Sequence, residues 1–261
     1  MTLPTPKRDL GQHFLVDENI LGVIGRLAEL GPDDVALEVG PGPGALTAYL
    51  ADRVADVHAI ELDRRLEPYL TERFGERSNV HLRFTDALTL DPLELDPPPT
   101  KLVSNLPYNV ATPIVVESLE RFPTIELWSV MVQREVADRF FAEPRTKAYG
   151  AVSVLIQLAT ERIGLHPVSR TVFRPQPNVD SALVAFRRRP QPPAVPWPEL
   201  KRIVEAAFAH RRKRLPNSLE LAGVADRGQA EAALAGIGRT ERARAEELDP
   251  EDFVELAAAL A

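Results

Sequence analysis

The sequence predicts an α/β fold: a doubly wound, mostly parallel sheet with an antiparallel hairpin at its edge, followed by a small all-helical domain. Three observations carry this. Short apolar runs alternate with segments of helical periodicity through the first half of the chain, the rhythm of a parallel sheet with crossover helices. A glycine-rich turn, G-P-G-P-G, joins the first of these runs to its helix. Beyond the Pro-rich stretch R-P-Q-P-P-A-V-P-W-P, the composition shifts to Ala, Leu, Glu and Arg at helical spacing.

The elements follow in order. V-A-L-E-V is the first strand of the sheet, and A-L-T-A-Y-L-A-D-R is the amphipathic helix after the glycine turn. D-V-H-A-I-E-L-D is the second strand, with L-E-P-Y-L-T-E-R-F as its helix. N-V-H-L-R-F-T-D and K-L-V-S-N-L-P-Y are the third and fourth. I-E-L-W-S-V-M-V-Q is the fifth, followed by the helical R-E-V-A-D-R-F-F. A-T-E-R-I-G-L-H and D-S-A-L-V-A-F-R are separated by F-R-P-Q-P-N-V, too short for a helical crossover, so they are expected to be antiparallel at the sheet edge. The boundary is placed between a domain of residues 1–189 and a helical domain of residues 190–261, the Pro-rich linker beginning the second.

Composition narrows the class. The 261 residues are 44% hydrophobic and 26% charged, an ordinary globular mixture. No apolar run approaches the roughly 20 residues that span a bilayer, and the first residues lack the apolar core of a secretory signal. No membrane association is expected. Zero cysteines exclude disulfides, thiolate nucleophiles and Cys-ligated zinc, and fit a reducing, cytoplasmic setting. The net charge of −7 argues mildly against a nucleic-acid partner. Two basic clusters run against it: Arg187, Arg188 and Arg189, then Arg211, Arg212, Lys213 and Arg214. Read alone, they are solvated surface segments.

Ligands of doubly wound sheets bind beyond the carboxyl ends of the strands, and the polar motifs sit there. Gly40, Gly42 and Gly44 allow a sharp turn and close approach of a ligand. Their G-x-G-x-G spacing differs from the dinucleotide G-x-G-x-x-G, and glycines alone would equally make a plain Gly-Pro turn. Glu38, just before the turn, is a poor neighbour for a pyrophosphate. It suits a ligand with a cationic amino group and a sulfonium, such as S-adenosylmethionine. Glu61, about 20 residues past the turn, stands where an acid accepts the ribose hydroxyls. Asp63 is a helix cap. Asp86, in T-D-A-L, is either a cap or an acceptor for the exocyclic amine of an adenine.

S-N-L-P-Y closes the fourth strand. The amino group of adenine is a weak nucleophile because its lone pair is delocalised into the ring. Two acceptors aimed at its N–H bonds draw it towards sp³ geometry. Asn105 offers a side-chain oxygen, Leu106 a backbone carbonyl that Pro107 stiffens, and Tyr108 a flat face for an unstacked base. Such a site works mainly by orientation and needs no strong base.

These residues, with L-G-Q-H-F-L-V-D, M-V-Q-R-E-V-A-D-R, Y-G-A-V-S-V-L, F-R-P-Q-P-N-V-D-S-A and F-A-H-R-R-K, resemble the small-subunit ribosomal RNA adenine dimethyltransferases, the kasugamycin-sensitivity family. The likeness runs from about residue 8 almost to the C-terminus. The macrolide-resistance methyltransferases of large-subunit RNA share the first half, but V-D-S-A-L-V, F-x-x-R-R-K and E-E-L-D-P-E-D-F resemble the small-subunit branch. The resemblance implies a Rossmann-type, S-adenosyl-L-methionine-dependent enzyme that dimethylates N6 of two adjacent adenosines near the 3′ end of small-subunit rRNA. Its partner would be that RNA or the immature small subunit, and it would act as a monomer. His13, Leu15, Gly40, Glu61, Asp86 and Asn105 would contact the cofactor. Phe173 would close over the base opposite Tyr108. The resemblance also turns the basic clusters into RNA contacts, with Arg187, Arg188, Arg211, Arg212 and Lys213 on phosphates. His13 stands where Asn is frequent, and Pro216 replaces a basic residue and is expected to end a helix. The rivals are the large-subunit activity and a non-catalytic assembly factor that keeps the cofactor pocket.

Overall fold

The structure, a computed structural model, describes residues 4–7 and 11–260. Leu10, which opens L-G-Q-H-F-L, lies outside them. The elements are β1 (Phe14–Leu15), α1 (Glu18–Leu27), β2 (Val35–Val39), α2 (Ala45–Ala51), β3 (Asp56–Ile60), α3 (Glu67–Phe74), β4 (Val80–Arg83), β5 (Lys101–Asn105), α4 (Ala111–Arg121), β6 (Leu127–Gln133) and α5 (Arg134–Phe140). Then come α6 (Ala151–Ala159), β7 (Thr160–Val168), β8 (Phe173–Arg174), β9 (Ser181–Arg188), α7 (Trp197–Ala209), α8 (Leu215–Leu221), α9 (Arg227–Gly236) and α10 (Pro250–Leu260).

Seven strands form one sheet in the order β4-β3-β2-β5-β6-β9-β7. Strands β4 to β6 pair in parallel, and β9 runs antiparallel to β6. The fold class is the expected one. All five residues of β2 are buried, because helices cover both faces of a parallel sheet, and so V-A-L-E-V is continuous rather than alternating. Trp128 on β6 is fully buried and stacks on Phe186 of β9 at 5.5 Å and 9°. Burying such a ring contributes roughly 3 kcal/mol. The order in which the strands are added reverses between the parallel neighbours β2 and β5. A crevice therefore opens beyond their carboxyl ends, between the glycine turn and N-L-P-Y.

One pairing is not apparent in the sequence. Within the F-R-P-Q-P bend, β8 pairs antiparallel with β1 in a separate two-stranded sheet, Leu15 opposite Phe173 and Phe14 opposite Arg174. A strand of two residues has no periodicity to read.

The chain divides into two compact units, residues 1–137 with 162–188, and residues 138–161 with 189–261. The helical unit thus takes in a segment from before the linker, where the sequence boundary had it starting at 190. The reason is α6: Val154, Leu155, Ile156 and Leu158 are buried, and the helix packs with α7 and α10. Within this unit the Tyr149 hydroxyl donates to the Leu248 carbonyl at 2.8 Å, and Phe208 contacts both Tyr149 and Phe253. Pro216 does not end a helix. It sits in the first turn of α8, where its missing N–H has no helical partner to lose. Among the described residues no helix is long and apolar enough to cross a membrane.

Candidate active site

An open cavity of about 1080 Å³, counting the solvent at its mouth, lies in the crevice at the reversal point. It is lined by Glu38, Gly40, Glu61 and Asp86 from the strand ends, by Asn105 to Tyr108, and by His13 and Leu15. Nine of the ten residues placed by sequence in the cofactor and acceptor sites therefore share one cavity.

The glycine turn exists because side chains cannot. Gly40 has φ +78°, and a Cβ there would stand 3.2 Å from Pro107, so a side chain at this position would press on N-L-P-Y. At Gly44, with φ +80°, a Cβ would lie 2.4 Å from the buried Phe74 ring. The turn is tied down by its own backbone. Gly40 N donates to Ile60 O at 2.9 Å, and Gly42 N donates to Glu61 Oε2 at 3.1 Å.

Two acids face the cavity in unusual states. Glu38 is 2% exposed, and its one hydrogen-bond donor among the described residues is the Thr47 hydroxyl at 2.6 Å. Burial pushes this carboxyl up to about 8, opposed by the Thr47 bond and reinforced by nearby Glu61. The fold therefore favours its protonated form. Glu61, one residue past β3, is also raised by burial, although Gly42 N and Asp63 N both donate to it. Asp63 caps the following turn, as expected, and the Arg65 guanidinium holds it down to about 2. Asp86 lies three residues beyond β4. Its Oδ1 accepts from Leu88 N at 2.9 Å within a turn, and the residue lines the cavity.

The acceptor wall is pinned from several sides. Asn105 Nδ2 donates to His13 O at 2.9 Å, which fixes the amide orientation and leaves Oδ1 buried without a partner among the described residues. A buried orphan acceptor costs about 1–3 kcal/mol, and this one belongs to a residue lining the cavity. Leu106 N donates to Met131 O at 3.1 Å, and Val110 N donates to Pro107 O at 3.1 Å, which closes the turn. The Tyr108 hydroxyl meets Ser181 Oγ at 2.5 Å, and the His13 ring stands 5.2 Å from the Tyr108 ring, tilted by 31°. His13 itself is held at Nδ1 by the Pro175 carbonyl at 2.7 Å.

Two placements depart from the sequence expectations. Phe173 is 1% exposed, opposite Leu15 in the β1–β8 pair, and packed in the core with Val168 and Leu183. It has no face open to a base. Arg188 is not free for phosphate. Its guanidinium donates to the carbonyls of Leu119, Phe122 and Ile125 and lies over Trp128 at 4.9 Å, and burial lowers its pKa. Arg187 pairs with Glu29 at 2.6 Å and Arg211 with Glu246 at 2.9 Å, the two arginine side chains remaining 43% and 42% exposed. Arg212 and Lys213 are exposed and have no ion pair among the described residues. Leu62 and Gln12 are among the cavity residues that escaped the sequence reading. Leu62 is 56% exposed between two buried acids, and Gln12 donates to Asp63 at 3.2 Å. The signal for Leu62 was E-L-D itself: an apolar residue outward-facing where its neighbours turn in.

The residues present fit a nucleoside sulfonium ligand: a side-chain-free turn, an uncompensated buried carboxyl, and acids past two adjacent strands. Fold and cavity together define an S-adenosylmethionine-dependent methyltransferase of the Rossmann type. Comparison with known proteins narrows the class. A family model described as ribosomal RNA adenine dimethylase matches residues 5–261. The chain is 49% identical to Ribosomal RNA small subunit methyltransferase A of Rubrobacter xylanophilus, over 97% of this chain and 94% of that protein. It is 43% identical to the protein of that name from Geobacillus kaustophilus, over 98% and 91%. Among solved structures, the 23S rRNA methyltransferase ErmE aligns with TM-score 0.65 and 33% identity, over 95% of this chain and 99% of that one. A dimethyladenosine transferase from Plasmodium falciparum shares the fold, with TM-score 0.77 and 22% identity over 94% and 96%. The chain belongs to the ribosomal RNA adenine dimethylase family.

Proposed function

We propose that this protein methylates N6 of two adjacent adenosines near the 3′ end of small-subunit ribosomal RNA, giving N6,N6-dimethyladenosines as the subunit assembles. The observation that carries the reading is the buried, unpartnered Oδ1 of Asn105 on a cavity whose other wall is the glycine turn. The small-subunit assignment is supported by the names of relatives that match along nearly their whole length.

S-adenosylmethionine, when bound, supplies a methyl group made electrophilic by the sulfonium. Glu38, Gly40, Glu61 and Asp86, with His13 and Leu15, are the residues to hold it. Asn105 Oδ1 and the Leu106 carbonyl accept from the two N–H bonds of the adenine amine and turn its lone pair out of conjugation. After the first methylation one N–H remains, and one of these acceptors suffices to orient it. Tyr108 presents its ring to the flipped base. The extra proton on the product amine is acidic enough to leave to water, so no general base is required.

RNA contact rests on Arg212 and Lys213, with Arg187 and Arg211 contributing exposed parts of paired side chains. The protein works as a cytoplasmic monomer on the RNA or on the immature particle. The test is transfer from tritiated S-adenosylmethionine to small-subunit particles that lack the modification, with large-subunit RNA offered in parallel. Label in N6,N6-dimethyladenosine of small-subunit RNA is expected. A folded, cofactor-binding protein that leaves it unlabelled refutes the reading, and label in large-subunit RNA alone transfers the protein to that substrate.

A further inference from the structure

We propose that Ser181 is a positioning residue of the methyl-acceptor site, holding the Tyr108 ring where the base must lie. The inference rests on the reading of Tyr108 as the base-facing wall and adds a residue that acts only through it.

Ser181 is the first residue of β9 and is 1% exposed. In register it faces Gln133, the last residue of β6, while Asn105 at the end of β5 faces Met131 on the same strand. This follows from strand direction. A parallel neighbour of β6 would bring its last residue to the carboxyl edge, whereas antiparallel β9 brings its first. The edge hairpin thus delivers a hydroxyl to the edge of the sheet where the ligands bind.

There, Ser181 Oγ lies 2.5 Å from the Tyr108 hydroxyl, one donating to the other. Burial raises the Tyr108 pKa, so the phenol keeps its proton and its hydrogen-bonding role at neutral pH. The phenolic oxygen lies on the axis about which a tyrosine ring turns. A bond to it cannot set the ring plane, but it fixes where the axis points. The plane is limited by the His13 ring at 5.2 Å, itself tied to Pro175. Without the Ser181 bond, rotation about χ1 would carry the ring away from the cavity, since that bond is what anchors its far end. A stacking platform off by about an ångström disorders the amine that Asn105 must orient.

The test is a double-mutant cycle on unmethylated small-subunit particles. Ser181→Ala and Tyr108→Phe are measured singly and together for kcat and KM, with cofactor Kd by calorimetry. Each single change removes the same bond and is expected to lower kcat roughly tenfold, the size of one neutral hydrogen bond. Cofactor Kd should stay within about twofold. The double variant should be no slower than either single one, because the bond can be lost only once. A roughly hundredfold fall in the double variant, or wild-type turnover in Ser181→Ala, overturns the proposal. Should Ser181→Ala fail to fold, Tyr108→Phe decides: a tenfold loss of kcat with unchanged cofactor Kd supports the proposal, and full turnover overturns it. A wild-type protein that binds cofactor but labels no RNA overturns the proposed function and this inference with it, an outcome distinct from an active wild type with additive variants.

Discussion

Glu38→Gln should make the protein more stable at neutral pH and flatten the pH dependence of its stability. The carboxyl has an ordinary value of 4.5 and is pushed up to about 8 in the fold, because it is buried with one hydroxyl donor and, among the described residues, no cation partner. Folding therefore favours its protonated form. Its contribution is fully present below about pH 4.5, declines as pH rises between the two values, and is lost above about 8. At 1.36 kcal/mol per pH unit, the loss reaches about 3 kcal/mol by pH 7. Glutamine cannot ionise, yet it keeps an oxygen for the Thr47 hydroxyl. Urea unfolding followed by tryptophan fluorescence at pH 5, 6, 7 and 8 tests this. Trp128 lies buried in the sheet unit that carries Glu38. The two proteins should differ little at pH 5 and separate by about 3 kcal/mol near pH 7. Saturating S-adenosylmethionine should reduce the wild-type loss, by supplying the cation the carboxylate lacks. Parallel stability curves for wild type and Glu38→Gln would refute the reasoning, and with it the case for an uncompensated acid in the cavity.

Asn105→Ala should lower turnover by about 100-fold or more, the scale of one preorganised polar contact at a reacting centre; a cofactor Kd that weakens by the same factor would show that the residue holds cofactor rather than the amine. Trp128→Ala should destabilise the sheet unit by roughly 3–5 kcal/mol, read from the urea midpoint, since the ring is fully buried against Phe186 and Arg188. Arg212→Glu with Lys213→Glu should weaken RNA binding and reduce the salt slope by about 2, one for each phosphate no longer neutralised. Arg188→Met should leave that slope unchanged and cost stability instead, and a change in slope would return Arg188 to the RNA surface.

The sheet and most of the cavity were legible because their signals are local. Apolar runs mark strands, glycines mark a turn that Pro107 and Phe74 make compulsory, and a strand-end residue in a doubly wound sheet faces the crevice wherever the strand sits. Phe173 was not legible. Whether an aromatic in F-R-P-Q-P looks into the cavity or the core depends on its pairing with Leu15, far earlier in the chain and in a strand too short to announce itself. The unit boundary failed for a similar reason, since α6 looks like any buried helix, and only its packing with α7 and α10 assigns it.

The arginine triplet shows the limit most sharply. Arg187, Arg188 and Arg189 are identical in sequence and adjacent, yet each has a different occupation. Alternation along β9 sends neighbouring side chains to opposite faces. Arg187 meets Glu29. Arg188 points to the end of α4, where the last carbonyls of a helix have no internal donors, and it satisfies Leu119, Phe122 and Ile125. Arg189, past the strand, donates to the carbonyls of Gln157 and Thr160. A guanidinium carries five donors, so wherever chain ends leave carbonyls unpaired, an arginine competes for them before it reaches a phosphate. A basic run therefore counts towards an RNA surface only after the backbone acceptors within its reach have been counted. By that measure the loop between α7 and α8, where Arg212 and Lys213 stay exposed, outranks the triplet on β9 as the place to look for RNA contact.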